Sequence, residues 1–219
     1  NGTATNVTYG TGEFGQAGVF NGSSSKIDLG NTAPFGNSNV IKSISCWTKL
    51  ATISDRNWIY SVSGTADQIN WFVIFYGGDT NDITVYRRSG STSNYALTTG
   101  AITADTNWHH VVVQLTATEV EIYLDGNKLT TTNTNAGTGT NTSWITYPAY
   151  SGTIKSFIGI SRQNTPEWTN GSNDQVRIFN RALRPYEVEA LYTEQYCTPT
   201  IVPSEHFNTV LFTGDDTAS

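Results

Sequence analysis

An all-β fold of short strands is what this sequence predicts, and three of its patterns carry the prediction. Val, Ile, Thr, Tyr, Phe and Trp recur in short runs separated by Gly, Asn and Asp, the composition of strands and turns. The clearest runs alternate apolar with polar residues, the period-two pattern of a strand with one face in a core. Charged residues make up only 14% of the 219, against 37% hydrophobic, so the charged helix formers that would build surface helices are scarce. Length alone allows one large all-β domain or two small ones.

The elements follow in order. In residues 14–29, FGQAGVFNGSSSKIDL, Val19 and Phe20 are joined to Ile27 and Leu29 through an Asn-Gly-Ser-Ser turn, the signature of a hairpin. IKSISCWTKL at 41–50 alternates Ile44, Cys46 and Thr48 against Ser43, Ser45 and Trp47. Residues 57–62 and 70–76 read as two aromatic-rich strands, all short enough for a sandwich. A turn at 77–82 precedes a strand over 83–87, and the polar stretch 89–100 reads as a return toward Trp108. WHHVVVQL at 108–115 and EVEIYLDGNKL at 119–129 form the clearest pair, with Asp125 and Gly126 supplying the turn. Residues 130–147 make a Thr/Asn/Gly-rich excursion long enough to be a binding loop or an irregular edge. KSFIGIS at 155–161 and DQVRIFN at 174–180 are the last strong strands. Residues 181–195 predict a short helix, with Pro185 and Glu187 in its opening turn and Leu183, Val188, Leu191 and Tyr192 on its apolar face, sealing one edge of the sandwich. Residues 1–199 are assigned to this unit. Residues 200–219 are read as a linker and the start of a following unit, and the lack of an initial Met as the mark of a processed product or a fragment.

Several functional classes are excluded or disfavoured. Twelve basic against eighteen acidic residues give a net charge of −6, which argues against a phosphate-backbone binder, and no nucleic-acid partner is expected. Gly12, Gly15 and Gly18 precede Val19 rather than joining a strand to a helix, so they do not form a phosphate loop. No apolar run is long enough for a membrane-spanning helix, and no membrane insertion is expected. Two cysteines, Cys46 and Cys197, define no zinc site; one bridge or a buried free thiol both remain open. His109 and His110 are adjacent, so on a strand they point to opposite faces and cannot enter one site as a pair. Glycoside hydrolysis needs two carboxylates across the bond, and the acidic row Glu119, Glu121, Asp125 is expected on an exposed strand without a basic or aromatic orienter. The module is therefore read as no enzyme, with no organic cofactor.

FGQAGVFNG at 14–22, SISCW at 43–47, WHHVVVQL, EIYLDGNKL, FIGISR at 157–162 and DQVRIFNRALRPYEVEALY at 174–192 occur in one order. Together they resemble the laminin G-like jelly-roll family within the concanavalin A-like lectins, over residues 10–195. That resemblance implies an antiparallel jelly-roll β-sandwich with the N-terminal and late strands adjacent, and a role in glycan binding, adhesion or particle decoration. It implies a structural calcium ion, Ca2+, whose oxygen ligands would be Asn21, Asp28 and Asp174; Asp28 and Asp174 can equally serve as hydrogen-bond acceptors. HFNTVLFTGD at 206–215 looks like the start of a repeat in tailed-phage fibre proteins, which implies a virion surface or extracellular location, a trimeric homo-oligomer and neighbouring virion proteins as partners.

Sugar recognition needs an aromatic platform with planar polar groups at a rim. Trp168, Asn164, Asn170, Asn173, Trp144 and Tyr147 lie in predicted loops and supply that chemistry, with Tyr86 as a further stacking candidate and a cell-surface glycan or host receptor as partner. The alternatives are a spacer or decoration module making protein contacts, and an accessory domain of a secreted bacterial protein.

Overall fold

A computed structural model describes residues 2–30, 43–64, 71–78, 81–89, 93–99, 102, 105–116, 119–133, 153–163 and 166–194. Its strands form two antiparallel sheets. From edge to edge the eight-stranded sheet runs β1 (Thr3–Thr5), β4 (Lys26–Asp28), β14 (Ile154–Ile158), β6 (Arg56–Gly64), β7 (Trp71–Gly77), β8 (Asp82–Ser89), β9 (Ser93–Thr99) and β13 (Thr131–Asn133). The seven-stranded sheet runs β12 (Asn127–Lys128), β11 (Val120–Leu124), β10 (His109–Leu115), β5 (Ser43–Leu50), β15 (Asn170–Phe179), β3 (Gln16–Asn21) and β2 (Thr8–Thr11). β15 thus sits between β3 and β5, so the N-terminal and late strands are adjacent as expected.

The core lies between the inner faces. Ile44, Cys46 and Leu50 of β5, Val111, Val113 and Leu115 of β10 and Val120 and Ile122 of β11 meet Ile59, Tyr60, Val62, Ile74, Tyr76, Ile83 and Val85 from the other sheet. Full burial of each such side chain contributes roughly 1.5–3 kcal/mol. One end of the interior is polar: Thr48 Oγ1 donates to Asn173 Oδ1 at 2.8 Å and accepts from Asn57 Nδ2 at 3.0 Å, linking the two sheets. Cys46 is a buried free thiol, which burial pushes up in pKa; Cys197 lies outside the described residues.

The outer face of β5, β10 and β11 is covered by α1 (Pro185–Tyr192). Val188 and Leu183 pack on Val112 and Tyr123. Gln114 pins the approach to the helix: Leu183 N–H donates to its Oε1 at 2.8 Å, and its Nε2 donates back to Leu183 C=O at 3.1 Å. The helix is shorter than residues 181–195 because Pro185 starts it at N1 after an extended N-cap, Arg184, and Leu183, though part of the apolar cluster, precedes that cap.

Three expectations are corrected. Residues 16–28 are not a hairpin: β3 and β4 lie in different sheets, so the turn between them is a corner between layers. Asn21 builds that corner, its Oδ1 accepting the N–H groups of Ser23, Ser24 and Ser25, while Gly22 N–H donates across to Thr169 C=O. Second, part of the polar return at 89–100 is strand β9, paired with β8 and β13. Third, the acidic row has a basic orienter: Lys128 Nζ donates to Glu119 and Glu121 at 2.7 Å each, and Gln114 and Tyr123 also donate to Glu121. The segment 206–215, on which the virion and trimer expectations rest, lies outside the described residues.

Candidate functional site

The three expected calcium ligands each serve the fold. Asn21 holds the corner described above. Asp28 Oδ2 accepts from Lys155 Nζ at 2.7 Å and its Oδ1 from Gly30 N–H at 2.8 Å; burial opposes ionisation, yet these donors hold its pKa below the ordinary value. Asp174, 5% exposed, accepts Phe14 N–H at 2.9 Å and Gln175 N–H at 2.7 Å, tying the β2–β3 turn to a bulge in β15. Asn21 pairs with Asn170 across the ladder, so Asp174 stands four residues along β15, about 13 Å away at roughly 3.3 Å per residue, and Asp28 belongs to the other sheet. Calcium needs oxygens at about 2.4 Å on all sides, so these residues do not fit as one coordination sphere. Among the described residues no group of three or more His, Cys, Asp or Glu could hold a metal. The melting temperature is expected to be the same in excess calcium and in EDTA; a fall on chelation would require a metal site elsewhere in the chain.

The expected glycan residues separate. Asn164, Trp144 and Tyr147 lie outside the described residues. Asn173 is inside the sandwich at 5% exposure and bonded to Thr48, so it is a core amide rather than a rim group. Trp168 and Asn170 are half-buried on the 166–170 segment, where Trp168 bridges to Ile160 and Asn170 begins β15. These two remain together at one rim of the sandwich.

Around them the fold assembles groups that the sequence did not single out. Asn170 Nδ2 donates to Asp55 Oδ2 at 3.1 Å, and Asp55 also accepts Thr52 N–H at 2.7 Å, closing the 52–55 turn. Next in the chain, Arg56 pairs with Glu167 at 3.5 Å, so the turn and the 166–170 segment are joined twice. The Arg56 guanidinium lies over the rings of Phe75, at 4.7 Å, and Trp58, at 5.5 Å. Gly78 makes room for it: a Cβ there would stand 2.7 Å from Arg56 Nε. Trp58 is locked by its backbone, N–H to Thr169 Oγ1 at 2.8 Å and C=O from Gly159 N–H at 2.9 Å, and its ring meets Phe75 at 4.9 Å and 60°.

Phe75 and Tyr86 then share the outer face of the eight-stranded sheet. Phe75 is opposite Thr84 and Tyr86 opposite Val73, making the two rings diagonal neighbours. Both are half-buried, while Trp58, Ser61 and Val73 on the same face are buried. Burial raises the Tyr86 phenol's pKa and the Arg88 charge opposes the rise, so the phenol is a neutral hydroxyl beside a cation. The rim thus offers ring faces, a guanidinium, a half-exposed carboxylate and a primary amide within one continuous stretch. Phe75 escaped the sequence reading because WFVIFY is apolar on both faces, which hides the period of two, and Arg56 and Glu167 because their pairing joins segments more than a hundred residues apart.

The histidines split as the alternation predicts. His109 bonds Asp125 at 2.8 Å and Asp105 at 3.0 Å, so it clamps the two carboxylates, and the Asp125 bond above all raises its pKa against partial burial. His110 faces the helix side, its Nε2 at 2.8 Å from Ser45 Oγ, its ring 5.2 Å from Trp47 and 6.2 Å from Tyr192.

Comparison with known proteins places this geometry. The Laminin_G_3 family, described as the concanavalin A-like lectin/glucanases superfamily, matches residues 21–189. No curated protein matches the chain. Among solved structures, domain 4 of AbnA, a GH43 extracellular arabinanase from Geobacillus stearothermophilus in complex with arabinotriose, is similar with a TM-score of 0.59 and 21% identity, over 86% of this chain and 82% of that one. The CBM40 of the Ruminococcus gnavus IT-sialidase is similar with a TM-score of 0.59 and 13% identity, over 87% of this chain and 98% of that one. The leech intramolecular trans-sialidase matches over 73% of this chain but 24% of its own, with a TM-score of 0.54 and 18% identity. At these identities the likeness is one of fold.

Proposed function

The chain belongs to the concanavalin A-like lectin/glucanases superfamily, and from that premise we propose that it is a non-catalytic carbohydrate-binding module whose contact surface is the rim of Arg56, Phe75, Glu167, Trp168 and Asn170. The observation that carries the reading is the Arg56 guanidinium held over Phe75 and tied to Glu167. Such a group pairs an apolar ring face, suited to the C–H face of a sugar, with fixed donors and acceptors for its hydroxyls. Support comes from similar folds solved in complex with arabinotriose and with α2,3 sialyllactose. Hydrolysis is not part of the proposal. The carboxylates of this rim are engaged in cross-links, Asp55 with Asn170 and Glu167 with Arg56, and neither faces a second carboxylate in the described contacts.

The test is a glycan array followed by titration of the strongest binders, with arabinotriose and α2,3-sialyllactose included. Phe75→Ala and Trp168→Ala are each expected to weaken binding about tenfold, equivalent to about 1.4 kcal/mol, with the far-ultraviolet circular dichroism unchanged. Silence across the array from the folded protein would overturn the proposal and leave a spacer or decoration role making protein contacts.

A further inference from the structure

A second surface carries sugar-binding chemistry on the opposite layer of the molecule. Between α1 and the β11–β12 turn lies an open cleft of about 620 Å³, within the size range of small-ligand sites. Tyr186 and Tyr192 wall it, and at 59% and 37% exposure they are two of the four exposed large apolar side chains among the described residues. Pro185, Glu189, Tyr192 and Thr193 recur at i, i+4, i+7 and i+8, so one stripe of the helix faces the turn.

Both rings are held in place. Tyr192 is stacked on Trp47 at 5.7 Å and 23°, and Arg184 lies 5.9 Å from the centroid of Tyr186 while donating to its hydroxyl at 3.2 Å. Gly126 keeps the Tyr192 ring accessible, since a Cβ there would stand 3.2 Å from its Cδ1. The turn is itself fixed: Asp125 accepts His110 N–H at 2.8 Å and pairs with His109, and Asn127 Nδ2 donates to Asp125 C=O at 2.9 Å.

The cleft offers acceptors beside the hydroxyls of Tyr186, Tyr192 and Thr193. Glu189 presents a carboxylate and Asn127 an amide oxygen, while no Lys or Arg lines the space. Two ordered aromatic walls with oxygen acceptors between them suit a ring that is apolar on its faces and bears hydroxyl donors at its edge. A carboxylated sugar would meet the Glu189 and Asp125 carboxylates, with the neighbouring Arg184 engaged on the Tyr186 ring and hydroxyl.

We propose that this cleft is a second carbohydrate contact, taking one uncharged sugar ring through Tyr186 and Tyr192 and the Glu189 carboxylate. The inference rests on the carbohydrate-binding reading but uses residues apart from the Phe75–Trp168 rim. Two contacts on one module raise avidity for a multivalent glycan when both can be reached at once.

The test is an amide chemical-shift titration with lactose, cellotriose, mannotriose and triacetylchitotriose, and with α2,3-sialyllactose for contrast. At least one neutral sugar is expected to shift the amides of Gly126, Asn127 and Thr193. Tyr186→Ala, at an exposed position, and Glu189→Gln should each weaken that response at least fivefold, and sialyllactose should shift these amides least. Neutral-sugar shifts confined to the Phe75–Trp168 rim overturn the second contact and leave the proposed function standing. No shift at either place for any sugar overturns both, and equal response to sialyllactose overturns the uncharged-ring assignment.

Discussion

Gly159→Ala is expected to destabilise the protein by about 2–5 kcal/mol and to lower its melting temperature by roughly 5–20 °C. Two penalties add at this residue. Its φ is +91°, a conformation that costs an L residue about 1–2 kcal/mol. A Cβ there would also overlap ring carbons of Phe20, which is 2% exposed. Overpacking of this kind costs roughly 1–3 kcal/mol. The parts can be separated by chemical denaturation of Gly159→Ala, Phe20→Leu and the double variant. The smaller side chain should relieve the clash but not the backbone strain, giving a favourable coupling in the cycle. Additive effects of the two substitutions would show that ring and glycine do not meet. Binding at the rim should weaken as well, because Gly159 N–H holds Trp58 C=O and Gly159 C=O holds Thr169 N–H.

Acid should destabilise the protein well above the carboxylate range, and His110 should be the cause. The ring is 1% exposed, and burial, assisted by Arg177 and opposed by Asp125 and Glu194, pushes its pKa down to about 4. In the unfolded chain the same group titrates near ~6.5. The folded state therefore favours the neutral ring: its contribution is complete above pH ~6.5 and is lost as pH falls toward 4, to the extent of about 3 kcal/mol. Asp28, Asp105, Glu121 and Glu194 all have lowered pKa values, so their losses fall at lower pH. His109 runs the other way: with its pKa raised, its contribution is full below ~6.5 and fades as pH rises through the raised value. Urea unfolding of His110→Gln between pH 4 and 7 should show a flatter acid limb than the parent. Parallel limbs would sink the assignment.

Much of the sandwich was legible from β-branched and aromatic runs bounded by turn residues. HHVVVQL and VEIYL read as strands, although β10 is buried on both faces, and they pair as expected. The reading failed where chemistry acts across the sheets. Asn21, Gly22 and three serines look like a hairpin turn from their own composition; only Thr169, distant in sequence, makes them a corner. Asn173 looked like a loop amide because Asn is common in turns, yet its partner Thr48 lies on another strand and draws it inside. The rim was half visible: Trp168 and Asn170 were singled out, whereas Arg56 gains meaning only when β7 brings Phe75 beneath it. Asp174 and Asp28 illustrate the reverse case, since a carboxylate suited to a metal is equally suited to backbone N–H groups and a lysine.

The position of β15 between β3 and β5 also governs the order of assembly. The Phe14–Asp174 hydrogen bond joins residues 160 apart, so this layer depends on contacts that are remote along the chain. During synthesis β3 and β5 emerge with facing edges unpaired, and these stay open until residues 170–179 leave the ribosome. Remote pairing of this kind makes folding slow and the nascent chain dependent on protection of those edges.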